Sequence, residues 1–191
     1  LNRRNINGKG SVVDVSLLET AVGWMAGYVP RFFELGEVVR STGSGQIGIA
    51  PYQAFPTADG YLVVAAGNDK LFRRLCQAFE RTEWVSDPRF LTNSNRSKNR
   101  DQLAELISEI MRGASTATWI ERIEKVGVPC APVHDIKQLL EHEQTRALGI
   151  LHTVPGHAPM QHALLPVSFD GERRKPDRGP PRIGEHNGEI F

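Results

Sequence analysis

The chain has 191 residues, 40% hydrophobic and 24% charged, so it can bury an apolar core without metals or disulfides. With 23 Lys and Arg against 22 Asp and Glu, the net charge of +1 argues against a nucleic acid as the main partner. No stretch approaches the roughly 18 consecutive apolar residues of a membrane span, and Cys76 and Cys130, far apart in the chain, are expected to be reduced thiols in a cytoplasmic protein.

The N-terminus resembles the interior of a longer chain. It begins with Leu1 rather than Met, lacks the apolar segment of a signal peptide, and opens as if residues 1–4 were the last turn of a helix. We therefore expect a fragment of a larger protein.

In the N-terminal quarter, residues 11–15 follow a glycine-rich turn and have β-branched side chains at alternate positions, which predicts a short strand. Ser16 and Glu19 have the spacing of a capping box, followed by apolar residues at helical period. This helix is expected to end or bend near residues 28–30, where Pro30 lacks an amide donor. Residues 40–48 form a glycine-rich connector.

The middle of the chain predicts a hairpin followed by helices. Residues 49–55 and 61–66 are strand-like, and the Asp59-Gly60 pair between them is expected to supply positive φ at the turn. Asn68 or Asp69 can cap the next helix. Further predicted segments are helices over residues 68–79, 97–111 and 116–127, an extended stretch over 128–133, and a helical pair over 135–148.

Beyond residue 149 we predict two strands, residues 150–154 and 162–167, then a proline-rich arm over 173–181 and a terminal helix from Gly184. The predicted fold class is α+β. The middle of the chain, residues 49–148, is predicted to be a compact α+β unit, and both ends, residues 1–48 and 149–191, are predicted to be arms that belong to something larger.

Familiar catalytic motifs are absent. The sequence has no nucleophile elbow, no nucleotide-binding P-loop and no paired-histidine zinc helix. The histidines lack metal-ligand spacing with the cysteines, so a structural or solvent-exposed role is expected for each of His134, His142, His152, His157, His162 and His186. No metal site is predicted.

Two segments leave a functional and a structural interpretation open. Residues 43–48, here called the glycine loop, have the backbone freedom either of a flexible linker or of a loop that approaches a ligand. Asn68 and Asp69 lie where a strand passes into a helix, a place that suits active-site polar groups and simple helix caps equally.

Six segments together resemble the second half of family III CoA-transferases, in the family's order and approximate spacing. They begin with GKGSVVDVSLL and APYQAFPTADG, and they comprise residues 8–18, 50–60, 67–69, 87–96, 127–133 and 180–186. The resemblance implies a Rossmann-like large domain joined to a small α+β domain, in homodimers of two interlocked, ring-like chains. Residues 49–148 would be the small domain, residues 1–48 the end of the large domain with its linker, and residues 149–191 the part that returns to the large domain. Coenzyme A would be a substrate, exchanged between a CoA thioester and a carboxylic acid, and no covalently bound cofactor is expected.

In that family the nucleophile is an aspartate of the N-terminal half, so the resemblance implies that no catalytic residue lies in this chain. The glycine loop resembles one that closes over the active site and shields reactive intermediates, with gating residues Gly43, Ser44, Gly45 and Gln46, although Ser44 replaces a glycine. The candidate substrate-pocket residues are Tyr52, Gln53, Asn68 and Asp69.

Three functions remain open from the sequence. Residues 50–69 resemble succinate–hydroxymethylglutarate-type transferases most, which favours a CoA-transferase acting on dicarboxylates. Racemases of α-methylacyl-CoA share the fold but tend to have an acidic residue where Asn68 stands, and an amide cannot act as the proton-abstracting base. The third alternative is a non-catalytic α+β interaction module.

Overall fold

The structure, a computed structural model, describes residues 1–156 and 158–190. His157, one of the six histidines considered above, and Phe191 lie outside the described residues. The chain divides into two units, Leu1–Ile47 and Gly48–Phe191. Within the described residues, no helix is long and apolar enough to cross a membrane.

The first unit contains three short helices, α1 (Asn2–Asn7), α2 (Leu17–Trp24) and α3 (Tyr28–Leu35). Ser16 caps α2 as predicted, since its side chain accepts the Glu19 N–H. The predicted strand over residues 11–15 is wrong: the segment is irregular, because no described strand pairs with it and a strand needs a hydrogen-bonded neighbour.

The predicted end of the second helix is also wrong. Helix α2 ends at Trp24, and α3 begins at Tyr28 with Pro30 in its first turn. Proline is tolerated there because the first N–H groups of a helix have no intrahelical acceptor.

Apolar side chains of the first unit face outward. None of its described residues is buried, and Leu17 and Trp24 are 91% and 83% exposed. Taken by itself, this unit has no hydrophobic core.

The second unit has a three-stranded antiparallel sheet in the order β1 (Tyr52–Pro56), β2 (Tyr61–Ala65), β3 (Cys130–Pro132). The predicted hairpin is confirmed, with Tyr52 opposite Ala65 and Pro56 opposite Tyr61. The predicted positive φ at Asp59-Gly60 is wrong, since neither residue has one. Residues 57–60 form a four-residue connection instead, a length at which the left-handed turn conformation is not required.

The described part of this unit also contains one 3-10 helix and several α-helices. They are α4 (Asp69–Ala78), a 3-10 helix (Thr82–Val85), α5 (Asn93–Lys98), α6 (Arg100–Met111), α7 (Thr116–Lys125), α8 (Ile136–Glu141), α9 (Glu143–Ala147) and α10 (Asn187–Ile190). The helix predicted over 97–111 is in fact two helices, because Thr92 caps α5 and Asn99 ends it. The cap of α7 is Ser115 rather than Thr116.

The core of this unit lies between the sheet and helices α4, α6 and α7. Fully buried side chains include Phe55, Leu62 and Val64 of the sheet. The Phe79 and Trp119 rings meet edge to face with centroids 5.4 Å apart, and the Trp119 indole donates to the Met111 carbonyl at 2.7 Å. The α+β prediction for this part of the chain is confirmed.

The predicted strands after residue 149 are shorter than expected, with β4 (Leu151–Thr153) antiparallel to β5 (Gln161–Ala163). Residues 173–181, the predicted proline-rich arm, contain no helix or strand.

The Cys76 thiol should be inert in the folded chain. It is fully buried, and burial raises its pKa to about 12, so almost no thiolate exists at pH 8 to react. A Cys130→Ser variant should therefore release no chromophore from Ellman's reagent when native and one equivalent in denaturant. Reaction of the native variant within minutes would contradict this burial.

Candidate functional site

The candidate site begins where β2 passes into α4. The Asn68 side-chain oxygen accepts the Leu71 N–H at 2.8 Å, which satisfies one of the free amides at the start of α4. The acceptor atom of Asn68 is therefore used in capping.

Arg96 is a fully buried cation next to that junction. Its Nε donates to the Ala50 carbonyl at 2.8 Å, and its Nη1 to the Phe90 carbonyl at 3.0 Å. Its Nη2 donates to the Gly67 carbonyl at 3.0 Å and to the Asp69 carboxylate at 2.9 Å. The guanidinium thus binds three separate backbone segments and the carboxylate of Asp69.

The environment of Arg96 has opposing effects on its charge. Burial lowers the pKa of the guanidinium and has the largest effect, while the hydrogen bond that it donates to Asp69 and the charge of that carboxylate raise the pKa. The group stays protonated because arginine does not lose its proton in proteins. It also lies over the Phe72 ring, 4.4 Å from the centroid, so the site has a fixed positive centre whose counter-ion, Asp69, is half exposed.

Asn93, at the start of α5, binds the end of the glycine loop. Its side-chain oxygen accepts the Ala50 N–H at 3.1 Å, and its side-chain nitrogen donates to the Gly48 carbonyl at 2.9 Å. Its own backbone N–H donates to Asp69 at 3.0 Å. Asn93 and Arg96 together therefore hold residues 48–50 against the strand–helix junction.

A wide cleft of about 540 Å³ lies at this junction, and Asn68, Asp69 and Asn93 are among the residues that line it. Its lining residues are Ile49, Tyr52, Ala65, Gly67, Asn68, Asp69, Leu71 and Asn93. Gly67 packs closely here, because a Cβ built at that position would overlap Ile49 Cγ2.

Three of the four candidate pocket residues, Tyr52, Asn68 and Asp69, line this one cleft. Gln53 is not among the lining residues, because successive residues of a strand point to opposite faces and Gln53 shares the face of buried Phe55.

The gating candidates Gly43, Ser44, Gly45 and Gln46 belong to the first unit. They lie in and after a turn in which the Gly45 N–H donates to the Thr42 carbonyl at 3.0 Å and the Thr42 hydroxyl donates to the Gly45 carbonyl at 2.6 Å. Gly43 has a φ of 60°, a conformation that favours glycine.

Arg96, Asn93 and Gly67 were not predicted as site residues. They lie within segments that carry the family resemblance, residues 87–96 and 67–69, and that was the only signal in the sequence. Apart from Phe90, six residues before Arg96, the hydrogen-bond partners of Asn93 and Arg96 are 24 to 46 residues away along the chain, so no local pattern reveals them.

A second polar cluster is structural. The Asp59 carboxylate accepts the Thr116 N–H at 2.7 Å and the Thr116 hydroxyl at 2.8 Å, which lowers the pKa of the Asp59 carboxyl. This contact fastens the hairpin loop to the start of α7. Among the described residues, no group of three or more His, Cys, Asp or Glu side chains could hold a metal ion.

Known proteins are similar to this chain in both sequence and fold. The profile described as "CoA-transferase family III" matches residues 1–187. An acyl-CoA transferase of Fusarium pseudograminearum is 34% identical over 189 residues, 97% of this chain and 41% of that protein. The succinyl-CoA:glutarate CoA-transferase of Homo sapiens is 28% identical over 187 residues, 96% of this chain and 42% of the human protein.

A solved structure, that of a CAIB/BAIF family protein from Brucella suis, matches with a TM-score of 0.82 and 28% identity, over 99% of this chain and 49% of that one. The chain spans less than half the length of each of these three relatives. The profile match over nearly the whole chain confirms the resemblance inferred from the six segments, and the chain belongs to CoA-transferase family III.

Proposed function

We propose that this chain is the C-terminal portion of a CoA-transferase that moves CoA between an acyl-CoA and a free carboxylic acid. The observation that carries this proposal is the family match over residues 1–187. Residues 49–148 would form the small domain, and residues 1–48 and 149–191 would belong to the large domain.

Dicarboxylates are the proposed substrate class. Several relatives are named for dicarboxylic acids and their CoA thioesters, including the succinyl-CoA:glutarate enzyme of Homo sapiens and a succinyl-CoA–D-citramalate CoA-transferase of Chloroflexus aurantiacus, 29% identical over 196 residues. Those names describe the relatives, and the substrate of this protein is our inference from them.

The side chains of the cleft support a nucleophile supplied from outside this chain. Asp69 is the one carboxylate among the lining residues, and it serves as the counter-ion of Arg96 and accepts the Asn93 N–H. The Cys76 thiol is buried and protonated, with a pKa of about 12, and burial also raises the pKa of Cys130. Neither sulfur is therefore an activated nucleophile.

In the proposed reaction, an aspartate carboxylate attacks the acyl-CoA carbonyl and expels CoA thiolate, leaving an acyl-aspartyl anhydride. The thiolate then attacks the aspartyl carbonyl of this anhydride, which releases the first carboxylate and forms an aspartyl-CoA thioester. The acceptor carboxylate reverses both steps. Water must be excluded because it would hydrolyse either intermediate.

We assign the glycine loop to that exclusion of water, with Gly43, Ser44, Gly45 and Gln46 as its gating residues. Tyr52, Asn68 and Asp69 of the cleft are the proposed substrate-pocket residues, and Gln53, which lies on the opposite face of β1, is left out of the pocket. A loop of small residues suits this task because it can change conformation at low cost.

The exposed apolar side chains of the first unit support a larger assembly. Large apolar side chains left exposed in this number suit a face that another element covers, and Leu17 and Trp24 are 91% and 83% exposed. We propose that the rest of a large, CoA-binding domain and a second, interlocked copy cover it, in a cytoplasmic homodimer.

The test uses the whole protein encoded by the gene, incubated with succinyl-CoA and a panel of carboxylates that includes glutarate, D-citramalate, mesaconate and oxalate. We expect a new CoA thioester by mass spectrometry. We also expect an aspartyl hydroxamate when hydroxylamine is added, because hydroxylamine attacks the aspartyl thioester. Residues 1–191 alone should give neither product.

Inversion of a 2-methylacyl-CoA by the whole protein, without transfer to any carboxylate, would replace this proposal with the racemase alternative. Absence of both activities and of any hydroxamate would favour the interaction module.

A further inference from the structure

We propose that Asn93 and Arg96 are positioning residues that clamp residues 48–50 and so give the glycine loop a fixed hinge. This inference rests on the gating role proposed above. It adds the residues that would fix one end of the loop, so that the loop closes in the same way each time.

The clamp acts on consecutive polar groups of the backbone. Asn93 binds the Gly48 carbonyl and the Ala50 N–H with the two ends of one amide, and Arg96 Nε binds the Ala50 carbonyl. Three main-chain groups within three residues are thus held by side chains of the single helix α5. Short, well-directed bonds of this kind restrict φ and ψ of the segment they span.

The clamp itself is rigidly supported. Arg96 is fully buried, it also binds the Phe90 and Gly67 carbonyls, and the Thr92 side chain caps α5. The clamped segment passes from exposed Gly48 to Ala50, which is 5% exposed. The fixed end of the loop is therefore attached to the hydrophobic core of the second unit.

The hydrogen bonds of the Thr42–Gly45 turn, in contrast, join residues of the loop region to each other. The division of the chain into its two units falls at Ile47–Gly48, directly before the clamped residues. Gly48, the first clamped residue, has a φ of 76°, a conformation that glycine adopts most readily, and the hinge is assigned to it.

The chemistry of Asn93 suits this task because an amide is both donor and acceptor. In Asn93→Asp the oxygen that receives the Ala50 N–H is kept, while a second oxygen faces the Gly48 carbonyl and repels it. Asn93→Ala removes both contacts. Ser94→Ala is the matched control, since Ser94 is the exposed neighbour of Asn93 on α5.

The first measurement is amide hydrogen exchange of the whole protein. We expect exchange of the peptide that contains Ala50 to become about tenfold faster in Asn93→Ala, as loss of one local hydrogen bond implies. Peptides from α6 and α7 should not change, and Ser94→Ala should match the wild type. Unchanged exchange at Ala50 would overturn the clamp.

The second measurement is the ratio of acyl-CoA hydrolysis to CoA transfer. A loop with a loose hinge admits water to the bound thioester, where attack on the carbonyl breaks the C–S bond and returns aspartate and free CoA. We expect this ratio to rise several-fold in Asn93→Ala and Asn93→Asp. Faster exchange with an unchanged ratio would overturn the hinge role.

The two proposals fail in different ways. A wild-type protein that transfers no CoA would contradict the proposed function, whereas hydrogen exchange tests the clamp without any substrate. If Asn93→Ala does not fold, hydrogen exchange is measured on Asn93→Ser, whose shorter side chain loses the Ala50 contact, and the hydrolysis ratio is measured on Asn93→Asp.

Discussion

Arg96→Met should lower the free energy of unfolding of the second unit by about 3–5 kcal/mol. Methionine fills much of the space over Phe72, but it donates no hydrogen bond. The Ala50, Phe90 and Gly67 carbonyls, which Arg96 now satisfies, would each lose a donor in a buried setting, at about 1–3 kcal/mol per group. Urea unfolding followed by fluorescence measures the change, since Trp84 and Trp119 are both buried in this unit.

Arg89→Met is the matched control. Arg89 also lies over an aromatic ring, 4.9 Å from the Phe90 centroid, and pairs with Asp87 at 2.6 Å, but its side chain is 46% exposed. An exposed ion pair of this kind contributes about 0–1 kcal/mol, so the control should remain close to the wild type. If the two substitutions lowered the free energy of unfolding by the same small amount, Arg96 would contribute no more to stability than an exposed ion pair does.

Arg96→Lys separates charge from geometry. Lysine keeps the positive charge, but its single ammonium group cannot follow the planar fork that reaches three carbonyls and Asp69. We expect a loss of stability nearly as large as that of Arg96→Met, whereas full recovery by lysine would mean that charge alone matters.

Local patterns in the sequence predicted the parts of the fold that depend on local interactions. The caps at Ser16 and Asn68 are confirmed, because a cap bonds an amide two or three residues away. The hairpin is confirmed as well, although its turn does not use the positive φ expected at Asp59-Gly60. The Asp59 carboxylate instead accepts hydrogen bonds from Thr116, 57 residues away. The local turn preferences of the sequence cannot predict such a contact.

The prediction of a strand over residues 11–15 was wrong for a similar reason. Alternating β-branched residues favour an extended backbone, but a strand forms only where a neighbouring strand completes its hydrogen bonds. Arg96 shows the opposite case: within the polar sequence of α5 it has the pattern of an exposed residue, yet it is fully buried. Its burial is possible because the carbonyls of residues 50, 67 and 90 lie around the guanidinium and accept its hydrogen bonds.

Gly67→Ala should destabilise the second unit by about 1–3 kcal/mol, the usual cost of an overpacked contact. The new methyl group would overlap Ile49 Cγ2 and lie 3.5 Å from Ile49 Cβ, so Ile49 has to move. The backbone on both sides of Ile49 is bonded to Asn93, which leaves rotation of the Ile49 side chain as the main relief. Urea unfolding measures this loss, with Gly60→Ala as the control, since a Cβ at Gly60 meets only Thr116 Oγ1 at 3.5 Å.

Shortening Ile49 should rescue the Gly67 variant. Ile49→Ala removes the clashing Cγ2 atom and leaves a Cβ at ordinary contact distance, and Ile49 is 38% exposed, so this change alone should cost about 1 kcal/mol or less. The double variant should then be more stable than Gly67→Ala, with a coupling energy of about 1–2 kcal/mol in a double-mutant cycle. Additive losses would mean that the Gly67 variant is destabilised by something other than close packing against Ile49.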